Sequence, residues 1–422
     1  MRREIRSDKV AEQEFEKMPL TPYDEYPVHA TPYPMSYLPS SDYAWDDGYY
    51  FGVYSIEHGI FLLNGMRIAP NSNVLGAHSS INVRGKQRTL RLSRVWRDDF
   101  NTAVGPMRYE FLEPLRTVRL VLEPNDSGMS YDIIWRGLAK PQLSDHHRAV
   151  RNGRFTTDQS RFNQVGTATG WIEIDGERFE MNESPWGAVR DRSWGLYESR
   201  PPLSGGPQWL PPSPPPTVSR ALRFSCFLES EGFSSYFHFH EGPNGENVVL
   251  NDAFGTPFEG CLNFGWEGEQ LKLVAHHHEL KFAPGTRSLT GGELVLTDEK
   301  GGVWLHRFEV PLPPHVLGQV GYHIGAWTDG GTIHTYHGPA NPAMEWDEYD
   351  FSVQPCDHTF PGTGETRKVF GVEHLANFIT TTPDGRELKG RAQIEVFLNG
   401  AYPRYGFEDQ STVGGLSGRG VA

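Results

Sequence analysis

Along Tyr236-Phe237-His238-Phe239-His240, side chains able to carry a proton fall on every second residue. On a strand, Tyr236, His238 and His240 share one face and Phe237 and Phe239 the other. A phenol and two imidazoles on one face suit general acid–base work near neutral pH, with His238 as acid or base and Tyr236 and His240 assisting. The alternatives are two barrel-lining histidines without further role, or a His-x-His pair that grips one metal ion, since both rings project the same way.

A second concentration is Ser184-Pro185-Trp186-Gly187-Ala188-Val189-Arg190-Asp191-Arg192-Ser193-Trp194-Gly195. Trp186 and Trp194 offer apolar walls, Asp191 a carboxylate, and Arg192 a guanidinium to orient it. The plainer reading is an aromatic plug sealing a β-barrel, with the Arg–Asp pair a structural salt bridge. Tyr50 closes an acidic-aromatic patch, Asp42–Phe51, that reads either as a cavity wall or as an edge strand with a solvated turn. His323, beside Tyr322, and Trp327 sit on a Gly-punctuated run, expected to be a strand lining a cavity. Glu373-His374 pairs a carboxyl with a strand imidazole. His276-His277-His278 falls in an alternating strand, so its rings are expected to point to opposite faces and not to chelate together.

The elements that must position these residues are short. YYFGVYSIE returns as IFLLNGMRI, SSINV as TLRLS, TVRLVLE as MSYDIIW and TGWIEI as RFEM, each across a Gly, Asn or Asp turn. No helical segment long enough for a parallel crossover intervenes. Residues 1–40 read as an arm, with a polar helix-like opening at 6–17. Residues 41–200 and 217–408 read as two all-β domains, meandering antiparallel barrels or sandwiches, and 409–422 as a flexible tail. Between the domains, 201–216 is a proline-rich connector.

The formal charge of −14 on 422 residues disfavours nucleic acid and anionic membrane surfaces as partners. Three cysteines, Cys226, Cys261 and Cys356, give neither a disulfide framework nor a zinc knuckle. No membrane span or signal peptide is visible, so a cytoplasmic protein is the expectation. Dinucleotide, P-loop, G-x-S-x-G and H-E-x-x-H motifs are all missing.

Two family patterns bear on these residues. Gly232-x5-His238-x-His240 matches the opening of the first cupin motif, but Glu246 stands one position late and no second motif follows. From TGWIEIDGERFEM into Asp191-Arg192-Ser193-Trp194-Gly195, the chain resembles the carotenoid hydratase (hydroxyneurosporene synthase) and AttH-like superfamily, whose motif is Asp-His-Asn-Trp-Gly. Asp47-Gly48-Tyr49-Tyr50, Asn64-Gly65-Met66-Arg67 and Val104-Gly105-Pro106 look like its uncharacterised bacterial members. The resemblance implies two lipocalin-like β-barrels and puts Asp191 and Trp194 on motif positions. Arg192 replaces the family His, a departure that bears on any proton transfer through that position. The family's Tyr-x-Asp acid has its nearest match in Tyr236-x-His238, and an imidazole there disfavours carotenoids, whose unactivated alkene needs a strong acid.

The expectation is a cofactor-independent lyase using acid–base chemistry: hydration or dehydration, elimination, or carbon–carbon cleavage. Its substrate would be a large apolar or aromatic small molecule, isoprenoid or plant phenolic. His238, Tyr236, His240, Asp191 and Arg192 would carry the chemistry; Trp186, Trp194, Trp327, His323 and Tyr50 would bind substrate; no metal or cofactor is called for, and a homodimer is left open. The alternatives are a lipocalin-like carrier of a hydrophobic ligand, and a cupin-like metal enzyme using His238, His240 and Glu246.

Overall fold

The computed structural model describes residues 20–27, 29–151, 153–181, 186–197, 221–248, 257–284, 286–340 and 342–408. The expected helix-like opening at 6–17, the proline-rich connector at 201–216 and the tail from 409 lie outside the described residues. Residues up to Ser41 form one compact unit and those from Asp42 a second. In the first, a 3₁₀ turn at Pro22–Glu25 is closed by reciprocal capping between Thr21 and Asp24.

The second unit is all β. Its first strands are β1 (Trp45–Ser55), β2 (Ile60–Ala69), β3 (Val74–Val83), β4 (Lys86–Val95), β5 (Ala103–Val104), β6 (Met107–Glu113) and β7 (Thr117–Leu122). There follow β8 (Met129–Gly137), β9 (Gln142–Leu143), β10 (His147–Arg151), β11 (Arg154–Ile174), β12 (Glu177–Glu180) and β13 (Gly187–Tyr197). Then come β14 (Leu222–Ser230), β15 (Phe233–Glu241), β16 (Phe258–Asn263), β17 (Gln270–Phe282), β18 (Leu289–Asp298) and β19 (Val303–Glu309). The last are β20 (Ala343–Asp350), β21 (Cys356–Thr359), β22 (Thr366–Val369), β23 (Glu373–Thr381) and β24 (Glu387–Leu398).

Fourteen strands form one curled sheet whose spine runs β20-β4-β3-β2-β1-β13-β11-β8-β7-β6-β5. Eight more, β14 to β19 with β23 and β24, close into a barrel. The all-β, two-barrel expectation is met by this curled sheet and closed barrel. β20 comes late in the chain yet pairs antiparallel with β4, so residues past the barrel's sixth strand complete the first sheet.

Period-2 alternation sets both cores. Leu222, Phe224, Cys226 and Leu228 of β14, with Phe237 and Phe239 of β15, point into the barrel. Phe51, Leu62, Trp135 and Ala188 point into the curl of the first sheet. Parts of the other faces are covered as well. Tyr54, Phe61, Leu63, Val165 and Val189 from the outer face of the sheet meet Phe227, Tyr236 and Leu375 from the outer wall of the barrel in a third apolar cluster. Every residue of β15 is therefore buried on both faces.

Three expectations need correcting. β1 is no edge strand; it lies between β2 and β13, and both of its backbone edges are paired. The run holding Tyr322, His323 and Trp327 is not a strand. A 3₁₀ turn at Gly318–Val320 and left-handed backbone at Gly321 (φ 104°) and Gly325 (φ 86°) break the extension. It becomes a cover over β3 and β4, fastened by Gln87 to Val316 and by Arg91 to the Gln319 carbonyl. Finally, only His277 of the His triplet points away: His276 and His278 share a face, and both reach Glu241, at 3.2 and 3.0 Å.

Candidate active site between the sheet and the barrel

Where the two outer faces meet, the apolar cluster gives way to polar side chains from both. The sheet contributes Tyr50 and Asp191, which are direct cross-strand partners on β1 and β13, and Arg161 from β11. The barrel contributes Tyr236 and His238 from β15, and Glu259, which stands opposite His238 on β16. Arg223 of β14 joins them, with Glu373 and Glu395, a second cross-strand pair, on β23 and β24. Each is an outward residue on a strand whose neighbours fill a core.

Two hydrogen-bonded groups result. Tyr236 Oη lies 3.3 Å from His238 Nδ1, and His238 Nε2 lies 3.9 Å from a Glu259 carboxylate oxygen. Across from them, Gln393 Nε2 donates to Tyr50 Oη at 2.6 Å and to Glu373 Oε2 at 2.9 Å. Gly52 makes that bridge possible, because a Cβ there would occupy the space of the Gln393 side-chain oxygen. Arg223 pairs with Glu395, and Arg161 Nη1 stands 4.0 Å from Asp191 Oδ2. Among the described residues, Asp191 Oδ1 has no hydrogen-bond partner. The side chains of Asp191, Arg223 and Glu395 keep 17–20% of their surface accessible, so the seam is not sealed from solvent.

The environment pushes neighbouring groups apart in acidity. Burial, reinforced by Arg223, His147 and Arg161, holds His238 well below the ordinary imidazole range, so it is a neutral base at pH 7. Burial, and then Asp145, raises Glu259 to about 7. Burial and the adjacent Glu395 raise Glu373 well above the carboxylate range, which keeps it protonated. Burial likewise raises the phenols of Tyr50 and Tyr236. A neutral imidazole beside a carboxyl near neutrality is the arrangement from which acid and base roles are assigned.

Of the residues singled out in the sequence, Tyr50, Asp191, Tyr236 and His238 come together here, and the His240 ring lies beside His238, centroids 5.3 Å apart. Arg192 does not join them. Alternation turns it to the opposite face of β13, where it pairs with Asp47 and covers Tyr49. Trp186 is buried against His58 and Trp194 is 37% exposed. Trp327, stacked on His337 at 3.7 Å, and His323 belong to the cover segment. Glu246 turns away from the two histidines to accept from the Asn244 N–H. Arg161, Arg223, Glu259 and Glu395 were missed. Each reads in sequence as a single charge on a strand, and only the stacking of the two outer faces gives it a role.

Among solved structures, kievitone hydratase from Nectria haematococca is similar at 8% identity and a TM-score of 0.40, covering 84% of this chain and 89% of that one. CghA bound to Sch210972 is similar at 7% identity and a TM-score of 0.46, covering 84% and 88%. No curated protein matches the sequence. A family model described as a family of unknown function, DUF8625, matches residues 20–358. The chain belongs to that family.

Proposed function

We propose that the seam between sheet and barrel is the active site of a cofactor-independent lyase that adds or removes water on a large apolar or aromatic small molecule. The observation that carries this reading is the pair His238 and Glu259, a neutral base facing a carboxyl held near pH 7 across 3.9 Å. In the dehydrating direction, His238 takes a proton from carbon while protonated Glu259 gives one to the departing hydroxyl, which leaves as water. The imidazolium then returns its proton to the Glu259 carboxylate, and the site is reset. Tyr236 orients the imidazole through Nδ1. Protonated Glu373 and Tyr50 donate to developing negative charge, and Arg161 and Asp191 hold the polar end of the substrate. The apolar cluster beside them supplies the dry wall. The resemblance to the hydratase and AttH-like superfamily points the same way.

The test is a panel of phenolic and isoprenoid alcohols and alkenes, incubated with the full chain in ¹⁸O-water and read by mass spectrometry. The expected result is a product differing by one water, with ¹⁸O incorporated in the hydrating direction. His238→Ala and Glu259→Gln should each lower turnover ~10²–10⁴-fold. Turnover untouched by His238→Ala would sink the assignment. The apolar wall also favours a second reading, a carrier, for which a bound ligand would return chemically unchanged.

A further inference from the structure

The curled sheet ends at β20, which among the described residues pairs with β4 alone. Phe351 N donates to the Gly85 carbonyl at 2.7 Å in the register of that ladder, so the odd-numbered residues turn their backbone groups to β4. Met344, Trp346, Glu348 and Asp350 therefore aim N–H and C=O at the free edge. Among the described residues no backbone group donates to them or accepts from them. Such a row is a template for another strand, and native proteins blunt it with lysine, proline, a bulge or an unneutralised charge. β20, Ala-Met-Glu-Trp-Asp-Glu-Tyr-Asp, holds no lysine and no proline, and its register against β4 is unbroken.

Its acids are neutralised within the chain. On one face Glu345 and Asp347 both pair with Arg91, and on the other Glu348 pairs with Arg88. The second face shows solvent Met344, 42% exposed, and Trp346, 45% exposed, with the Arg88 guanidinium over the indole at 5.4 Å. Trp, Met and Arg are the residue types enriched where proteins meet. The strand is also complementary to itself. Laid antiparallel on a second copy with Trp346 opposite Trp346, Met344 meets the stem of Glu348 and Glu345 meets Asp347, and each face continues as the same face. The two indoles then form a cross-strand aromatic pair, and an Arg91 from each copy flanks the facing acids.

We propose that β20 is a dimer interface, at which a second copy of this chain adds its own β20 antiparallel across a two-fold axis at Trp346. The two curled sheets run on as one, and the free backbone groups of Met344, Trp346 and Glu348 gain partners. The contact is isologous, so it closes at two copies. A second copy suits this edge better than a foreign strand, because its own sequence sets an indole on Trp346 and a guanidinium beside each facing acid. The interface does not depend on the chemistry proposed for the seam.

The test is sedimentation equilibrium of the full chain from about 1 to 200 µM, where interfaces of modest size associate. The mass should rise from that of one chain toward that of two. Trp346→Lys sets a charge on each side of the axis and should weaken association at least about tenfold. A second measurement oxidises Trp346→Cys. Opposite residues of a hydrogen-bonded antiparallel pair stand about 5.5 Å apart at Cα, within disulfide reach, so peptide mapping should find position 346 of one chain joined to position 346 of another. A single-chain mass at every concentration, association untouched by Trp346→Lys, or no bond between the two positions would overturn the proposal. Should Trp346→Lys not fold, the mapped crosslink decides the matter.

Discussion

Glu259 is the side chain on which the seam's chemistry turns, and its acidity has a consequence for stability that can be measured without any substrate. Its folded-state value of about 7 lies above the 4.5 of a free glutamate, so between those values the native chain holds a proton that the unfolded chain has lost. The associated stability is complete below the unfolded value and is lost as pH rises through 7. Glutamine cannot ionise. Glu259→Gln should therefore raise the urea midpoint at about pH 8, equivalent to roughly 1–3 kcal/mol, with most of the gain gone at about pH 5. A variant less stable than the parent at both pH values would contradict the environment assigned to this carboxyl. The sequence made His238 conspicuous, because imidazoles and phenols on alternate residues stand out by type. It left Glu259 obscure, because a lone glutamate at a strand start looks like a solvated charge. What distinguishes the two readings is which wall covers the residue, and alternation alone does not say so.

Elements decide what alternation cannot. Along β13, residues 189, 191 and 193 face the barrel side and 188, 190 and 192 the curl, so one strand serves two interiors. The motif Asp191-Arg192 is therefore split between them and does not act as a pair. Hairpins such as β1–β2 and β3–β4 were legible, since turn residues and strand lengths are local. β20 was not, because its partner lies some 250 residues earlier in the chain and is chosen by side chains. Arg91, 1% exposed, donates to Glu345 at 3.0 Å and pairs with Asp347, both on β20, and also donates to the Gln319 carbonyl at 2.8 Å. Removing one partner of such a buried pair typically costs about 3–5 kcal/mol. Arg91→Met should release β20 and the cover together, seen as faster amide hydrogen exchange across 318–328 and 343–350 while β14 and β15 stay protected. Exchange rising equally in the barrel, or nowhere, would show that Arg91 does not fasten these pieces.

At the scale of the whole molecule, acid should be the main threat, for a reason distributed over both bodies. Burial lowers His78, His147, His306 and His315 to about 3 and His323 and His374 to about 4, with His238 also well below its ordinary value. Each is neutral when folded and takes up a proton when unfolded, so its contribution is whole above about 6.5 and lost as pH falls toward the folded value. Glu229, Glu259 and Glu373 act in the opposite sense, since burial raises all three. The histidines, which also include His278 and His358, are more numerous, and near pH 5.5 unfolding should take up a net of several protons. At ~1.4 kcal/mol per proton per pH unit, such a slope would exhaust a stability of about 5–15 kcal/mol within about one to three pH units. His78 and His315 lie at the sheet's outer face and His306 and His374 in the barrel strands, so sheet and barrel should be lost together rather than in turn. Calorimetry from about pH 7.5 to 5 should show one transition moving steeply to lower temperature below pH 6.5. A midpoint that stays level over that range would mean the buried imidazoles are charged, or solvated, in the native state.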